Sequence, residues 1–330
     1  MLAEITAAPW HWGAFLLAVV FFLALDLGVF HRHAHVVKFK EALGWTCLWF
    51  TLAMVFGLLI GPKMIPGWAG PQTEEFITGY IIELALSMDN VFVIALIFGY
   101  FGVKREYQHR VLFWGILGAL IMRGLMIWIG AGLVERFQFL LYILGAFLIF
   151  TGVKMLFADD EEVEPEKNIV VRLTRRFFPV SPKYDGQNFT TVIDGKKMLT
   201  PMALVLVMVE TTDLIFAVDS IPAIFAITTE PFLVFTSNVF AILGLRSLYF
   251  VLEGAINYFR YLKIGLSIVL IFIGLKMVML MWKFHIPTRL SLIIVATIIF
   301  TSIAFSVLVA KREEKHRPHD DSGDPGASPV

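Results

Sequence analysis

A single cysteine, Cys47, stands in the whole 330-residue chain. One thiol excludes an intrachain disulfide and a thiolate metal cluster, since both need partners. Charge is scarce as well: Asp, Glu, Lys and Arg make up 16% of the residues, where soluble domains carry about 25%. No polar stretch is long enough for a separate soluble domain. The longest, 158–199, is rich in charge, Pro and Gly, and reads as a connecting loop with one short helix over Val170 to Phe178. The basic start of a cleaved signal is also missing, because Met1 to His11 holds Glu4 and no Lys or Arg. The first apolar segment is therefore expected to stay as a true span.

What remains is hydrophobic: 58% of the residues are apolar or aromatic and the mean hydropathy is +0.77. About twenty apolar residues cover a bilayer core. Windows of that length predict nine spans, near residues 12–30, 43–61, 76–100, 109–132, 137–157, 200–227, 232–252, 260–282 and 288–309. The expected fold class is an all-α polytopic transmembrane bundle, a single domain over 1–310. The tail at 311–330, ending HRPHDDSGDPGASPV, is too polar to fold alone and is expected to be disordered.

Lys and Arg accumulate in cytoplasmic loops. In a nine-span arrangement one side receives Arg32, Lys38, Lys40, Lys104, Arg105, Arg110, the basic residues from Lys154 to Lys197, Arg260, Lys263 and the tail. The other receives only Lys63, Arg136, Lys283 and Arg289. The N-terminus is thus expected outside and the C-terminus inside.

Spans three to five and six to eight look like two copies of one unit, over about 76–157 and 200–282. ELALSMDNVFVIALIF in the third span aligns with DLIFAVDSIPAIFAI in the sixth, so Glu83 and Asp89 match Asp213 and Asp219 at equal separation. Arg123 and Arg246 then fall in the fourth and seventh spans, and Gly152-Val153-Lys154-Met155 matches Gly274-Leu275-Lys276-Met277. An odd number of spans per copy makes the repeat inverted, an arrangement that in secondary transporters brings a substrate site to the midplane where the copies meet.

Six carboxylates lie inside predicted spans: Asp26, Glu83, Asp89, Glu210, Asp213 and Asp219. Each costs roughly 2.5–3.5 kcal/mol at a helix centre, so the set is expected to face water, a bound ion or one another. Residues at i, i+4 and i+7 share a helix face. Glu83, Ser87 and Asn90 therefore form one stripe, and Glu210, Asp213 and Ser220 another. Asp89 and Asp219 fall about 120° off those stripes at 100° per residue, which predicts local unwinding. Pro222 supplies a cause, since it cannot donate to the carbonyl of Val218.

Carboxylate, amide, hydroxyl and carbonyl oxygens suit hard cations such as Mg²⁺, Ca²⁺ and Mn²⁺. Met88 and Met208 offer a soft donor or, as Met in a bundle usually does, packing. Arg123 and Arg246 can neutralise some of the acids in structural ion pairs. With Lys276 there are three intramembrane bases against six acids, so an excess of negative charge remains, and cation binding or proton uptake compensates it better than burial alone. A carboxylate in a low-dielectric medium holds its proton tightly, so it can trade a proton for a metal ion. Asp26 is read as an inner gate ligand or a counter-ion to Arg123. His31, His33 and His35 are read as a solvated basic loop or a metal-capturing one, and Asn238 as a polar contact between helices.

The strings ALDLGVFHR, ELALSMDNVFVIALIF, ETTDLIFAVDSIPAIFAIT and FTSNVFAILGLRSLYFVLEG resemble the TerC family of bacterial integral membrane proteins, over about Leu16 to Leu280. The family is named for tellurium resistance and includes manganese exporters controlled by a manganese riboswitch. The resemblance implies a multi-pass protein of the inner membrane, similar in fold to lysine exporter-like transporters, that moves Mn²⁺ out of the cytoplasm. It carries the family's acidic motifs onto Asp26, onto Glu83, Asp89 and Asn90, and onto Glu210, Asp213, Asp219 and Ser220.

The expected partners are Mn²⁺ or a similar divalent cation, protons and the bilayer, with no nucleic acid and no tightly bound cofactor. Two alternatives stand beside export: an oxyanion carrier for tellurite-like substrates, which the arginines would have to favour over the carboxylates, and a membrane scaffold. The spans lack a GxGD pattern, so no enzyme is expected.

Overall fold

A computed structural model describes residues 5–25, 37–157, 168–253, 262–282, 284 and 286–316. Asp26, His31, His33 and His35, on which a gate ligand and a histidine loop were expected, lie outside the described residues.

The described chain is a helical bundle. Its helices are α1 (Pro9–Leu25), α2 (Phe39–Val55), continued through a π-helical turn at Phe56–Ile60 into α3 (Gly61–Met64), then α4 (Gly70–Phe101), α5 (Arg105–Arg136) and α6 (Leu140–Phe157). A short α7 (Ile169–Phe177) and a hairpin of β1 (Thr190–Ile193) and β2 (Lys196–Leu199) lead to α8 (Pro201–Phe225), α9 (Pro231–Glu253), α10 (Leu262–Met279) and α11 (Thr288–His316). Eight of these segments are long and apolar enough to cross a membrane, and α1 is a shorter apolar helix of 17 residues.

The boundaries follow local chemistry. Pro201 and Pro231 open α8 and α9 at the position where a missing N–H costs nothing. Gly102, at φ 61°, closes α4 in the left-handed conformation, and Val103 donates back to the Phe98 carbonyl. The helix predicted over Val170 to Phe178 is α7, capped by the Asn168 side chain. The hairpin was not foreseen. Asp194 and Gly195, both at positive φ, form the two-residue turn that Asp-Gly favours between paired strands. α11 runs on to His316, so 311–316 is helical and not part of a tail; Lys, Arg and Glu are good helix formers and extend the last span beyond its apolar stretch.

Packing sets the layout. α9 is buried almost all round and forms the centre, with α2, α4 and α5 against it and α8 against both α4 and α5. α6 and α10 form a second, tightly apposed pair, and α11 covers α10 and α4. α6 and α10 run antiparallel and meet at small residues. A Cβ on Gly274 would sit 2.5 Å from the Gly145 carbonyl, and one on Gly152 would sit 2.8 Å from the Ser267 carbonyl. The sequence offset that aligns Gly152 with Gly274 also aligns Gly145 with Ser267, so exchanging the aligned positions maps these two contacts onto each other.

Backbone cannot yield to a side chain as another side chain can, which is why small residues hold such crossings. Gly274→Val is expected to lower stability by about 1–3 kcal/mol, read as a fall in the thermal midpoint in detergent. Gly99→Ala, where a Cβ meets nothing within 4 Å, is the control and is expected to leave the midpoint unchanged or slightly raised.

Candidate cation site

The polar stripe of α4 turns toward the centre of the bundle. Glu83, Ser87 and Asn90 are all buried, and the Ser87 hydroxyl donates to Glu83 Oε1 at 3.4 Å. From α8, Asp213 and Ser220 are buried on the facing side. Between them lies Arg123 of α5, itself 2% exposed.

Its guanidinium pairs with Glu83 and forks onto Asp213, with Nη2 3.0 Å from Oδ1 and Nε 3.4 Å from Oδ2. Nη1 also donates to Ser220 at 3.3 Å and to Asn238 Oδ1 at 3.5 Å. Five donors in a rigid planar fork allow one arginine of α5 to reach three other helices, α4, α8 and α9, in this way. Asn238, expected as an interhelical contact, anchors its own amide on the Val234 carbonyl at 2.7 Å.

Two oxygens of this cluster are left over. Asn90 Nδ2 donates to Asp213 Oδ1 at 3.3 Å, an orientation the carboxylate enforces because it can only accept. Asn90 Oδ1 is then buried without a hydrogen-bond partner among the described residues, and so is Glu83 Oε2. Buried acceptors without donors are uncommon in folded proteins and point to an unfilled role.

Beside the guanidinium is a cavity of about 40 Å³ lined by Glu83, Asp89, Asn90, Arg123, Asp219 and Ser220, with Met155 of α6 and Leu266 and Leu270 of α10 closing it. About 10–15 Å³ of such space admits one water, so an ion with part of its hydration shell fits. Asp219 accepts a hydrogen bond at 3.2 Å from Thr151 of α6, and Lys154 lies within its electrostatic reach.

Several sequence expectations change here. α4 and α8 are continuous through Asp89 and Asp219, so the predicted unwinding is absent. It is not needed, because the cavity extends sideways toward α6 and α10 and so meets residues about 120° apart on one helix. Pro222 sits inside α8 within three residues of its end, where few hydrogen bonds remain to be lost. Glu210 does not line the cavity; its carboxylate lies over Gly118 of α5. Arg246 is in a different small cavity, with Val37, Trp45 and Trp49, next to α2. Met208 belongs to an apolar core cluster with Met88 packed against it, and the methionine at the cavity is Met155.

Among the described residues, no three His, Cys, Asp or Glu side chains are gathered tightly enough to hold a metal by themselves. The guanidinium takes the place between Glu83 and Asp213 where a cation shared by both would sit. Thr151 was not singled out from the sequence; its signal was a threonine in the otherwise apolar and aromatic run LLYILGAFLIFTG.

The chain is similar to a protein of Myxococcus xanthus named "Uncharacterized membrane protein STKORF319", 49% identical over 319 residues, 96% of this chain and 97% of that one. It is 43% identical to the Escherichia coli K12 protein named "Putative membrane-bound redox modulator Alx", over 94% of this chain and 98% of that one. A membrane protein of Rickettsia bellii is 38% identical over 90% and 97%. No solved structure matches. The family model described as the integral membrane protein TerC family matches residues 68–317. On this match and these full-length relatives, the chain belongs to the TerC family of multi-pass integral membrane proteins.

Proposed function

We propose that this protein is a secondary transporter that exports Mn²⁺ from the cytoplasm across the bacterial inner membrane, exchanging the ion for protons at the cavity between α4, α8 and the α6/α10 pair. The observation that carries the reading is the surplus of acceptors around one buried arginine. Glu83, Asp89, Asp213 and Asp219 converge on Arg123 and its cavity, and Glu83 Oε2 and Asn90 Oδ1 have no hydrogen-bond donor among the described residues.

Arg123 supports a resting arrangement. It compensates Glu83 and Asp213 so that the centre stays folded in a medium where bare carboxylates are costly. The substrate ion would approach Asp89, Asp219, Asn90 Oδ1 and Ser220, a set of hard oxygen donors suited to Mn²⁺ or Mg²⁺, with the Met155 thioether near as a softer contact. A doubly charged ion there repels the guanidinium, loosening its grip on Glu83 and Asp213. Those carboxylates then become free to share the ion or take protons. Coupling follows from that competition, because one set of oxygens serves Arg123, Mn²⁺ and H⁺ in turn.

Purified protein in proteoliposomes tests this. Mn²⁺ flux is expected, faster when a proton gradient opposes the ion's direction of travel, with Mg²⁺, Ca²⁺ and Zn²⁺ transported more slowly. Absence of metal flux together with tellurite uptake would reverse the assignment in favour of the oxyanion reading. The redox role in the name of the Alx relatives finds no dithiol here, since Cys47 is the single cysteine.

A further inference from the structure

A second cavity, of about 240 Å³, lies between α1, the α2–α3 segment and α9. It exists because α1 stands off the bundle and meets it through large rings: Trp12 on Phe232, Phe15 on Phe56 and Phe240, and Phe22 on Trp49. Its lining is apolar except at one end, where His11 sits. Apolar cavities of about 150 Å³ in soluble proteins stay dry and take benzene-sized ligands. In a bilayer, the molecule in large excess beside such a space is lipid.

His11 identifies which kind. The ring is 6% exposed, and Nε2 is 3.1 Å from the Met64 carbonyl. A carbonyl can only accept, so Nε2 carries the proton, and in neutral imidazole Nδ1 is then an acceptor. Nδ1 is buried with no hydrogen-bond partner among the described residues. Whatever completes it must donate.

Position supplies the rest. Trp10, His11 and Met64 lie where α1 begins and α3 ends, at one face of the bundle, and Trp10 is exposed, as is usual at a membrane interface. From His11 to Phe22, the deepest α1 residue of the lining, the rise is about 16 Å at 1.5 Å per residue. That is about half a hydrocarbon core of ~30 Å, the depth of one leaflet. The geometry points to a phospholipid site: one acyl chain lies in the cavity along α1, and a hydrogen-bond-donating headgroup, the ammonium of phosphatidylethanolamine, is held by His11 Nδ1.

The test uses the full chain reconstituted with phosphatidylethanolamine or phosphatidylcholine carrying a photoactivatable group in one acyl chain, with adducts mapped by peptide mass spectrometry. Labelling of α1 and α9 peptides is expected to be at least about fivefold stronger with phosphatidylethanolamine, because the choline head has no N–H to give. His11→Leu should bring the two lipids to equal labelling. Ala18→Trp, which fills the cavity and leaves His11 in place, should reduce labelling by both lipids; a melting temperature within a few degrees of the parent establishes that each variant is folded.

Equal labelling by the two lipids in the parent protein would overturn the headgroup assignment. Labelling that persists undiminished in a folded Ala18→Trp protein would overturn the site. Competition by an added quinol, but not by unlabelled phosphatidylethanolamine, would give the cavity to another donor-headed amphiphile and equally overturn it. None of these outcomes depends on metal flux.

Discussion

Replacing Asp89 by asparagine is expected to abolish Mn²⁺ flux in proteoliposomes while leaving the bundle folded. Asp89 lines the cavity on the side facing α6 and α10 and lies off the stripe that Arg123 engages. Asparagine keeps its volume and one oxygen but loses the charge. Two unit charges about 4 Å apart at an effective dielectric of about 20 interact by about 4 kcal/mol, and a doubly charged ion feels more. Because each 1.4 kcal/mol is tenfold, a loss of at least two to three orders of magnitude in ion affinity follows. Asp219→Asn should behave alike, whereas Asp89→Glu should retain part of the flux. A thermal midpoint in detergent, read beside the flux, separates loss of binding from loss of folding. A folded Asp89→Asn protein moving Mn²⁺ at the parent rate would remove this residue from the pathway, and with it the cavity as the binding place.

Removal of Arg123 has a different signature. Arg123→Met leaves Glu83 and Asp213 buried without their shared counter-charge, and breaking such a cluster from one side typically costs about 3–5 kcal/mol. Unfolding in detergent should show that loss. Adding Glu83→Gln and Asp213→Asn should restore most of the stability without restoring transport. Mn²⁺ should stabilise the Arg123→Met protein more than the parent, because the ion can then take the guanidinium's place; a ligand at 100 times its Kd contributes about 2.7 kcal/mol. A single variant that unfolds like the parent would show that the arginine does not carry the charge balance of the centre.

The segments that form the bundle were readable because the bilayer demands about twenty apolar residues per crossing, and eight helices among the described residues meet that demand. The stripe of Glu83, Ser87 and Asn90 was readable for the same reason of periodicity. Other features follow local chemistry that the sequence also carries: Asp194-Gly195 is a hairpin turn, and Lys311 to His316 continues a helix. The predicted unwinding at Pro222 erred by treating the site as a point on one helix face. The cavity is bounded by five helices, α4, α5, α6, α8 and α10, so residues on different faces of α4 and α8 border it without any break in either.

The sequence by itself determined the solvent, eight of the nine expected spans and the presence of acids within them, because hydrophobic length and charge in hydrocarbon are local quantities read residue by residue. Which base compensates which acids was decided by tertiary structure. Arg123 and Arg246 align in the repeat expected from the sequence, yet Arg123 reaches Glu83 and Asp213 while Arg246 lines a cavity beside α2. The physical reason is that a pairing between distant helices depends on which faces pack together, and at α6 and α10 that depends on backbone approach at Gly145, Gly152 and Gly274, a property of two helices jointly that no single span contains.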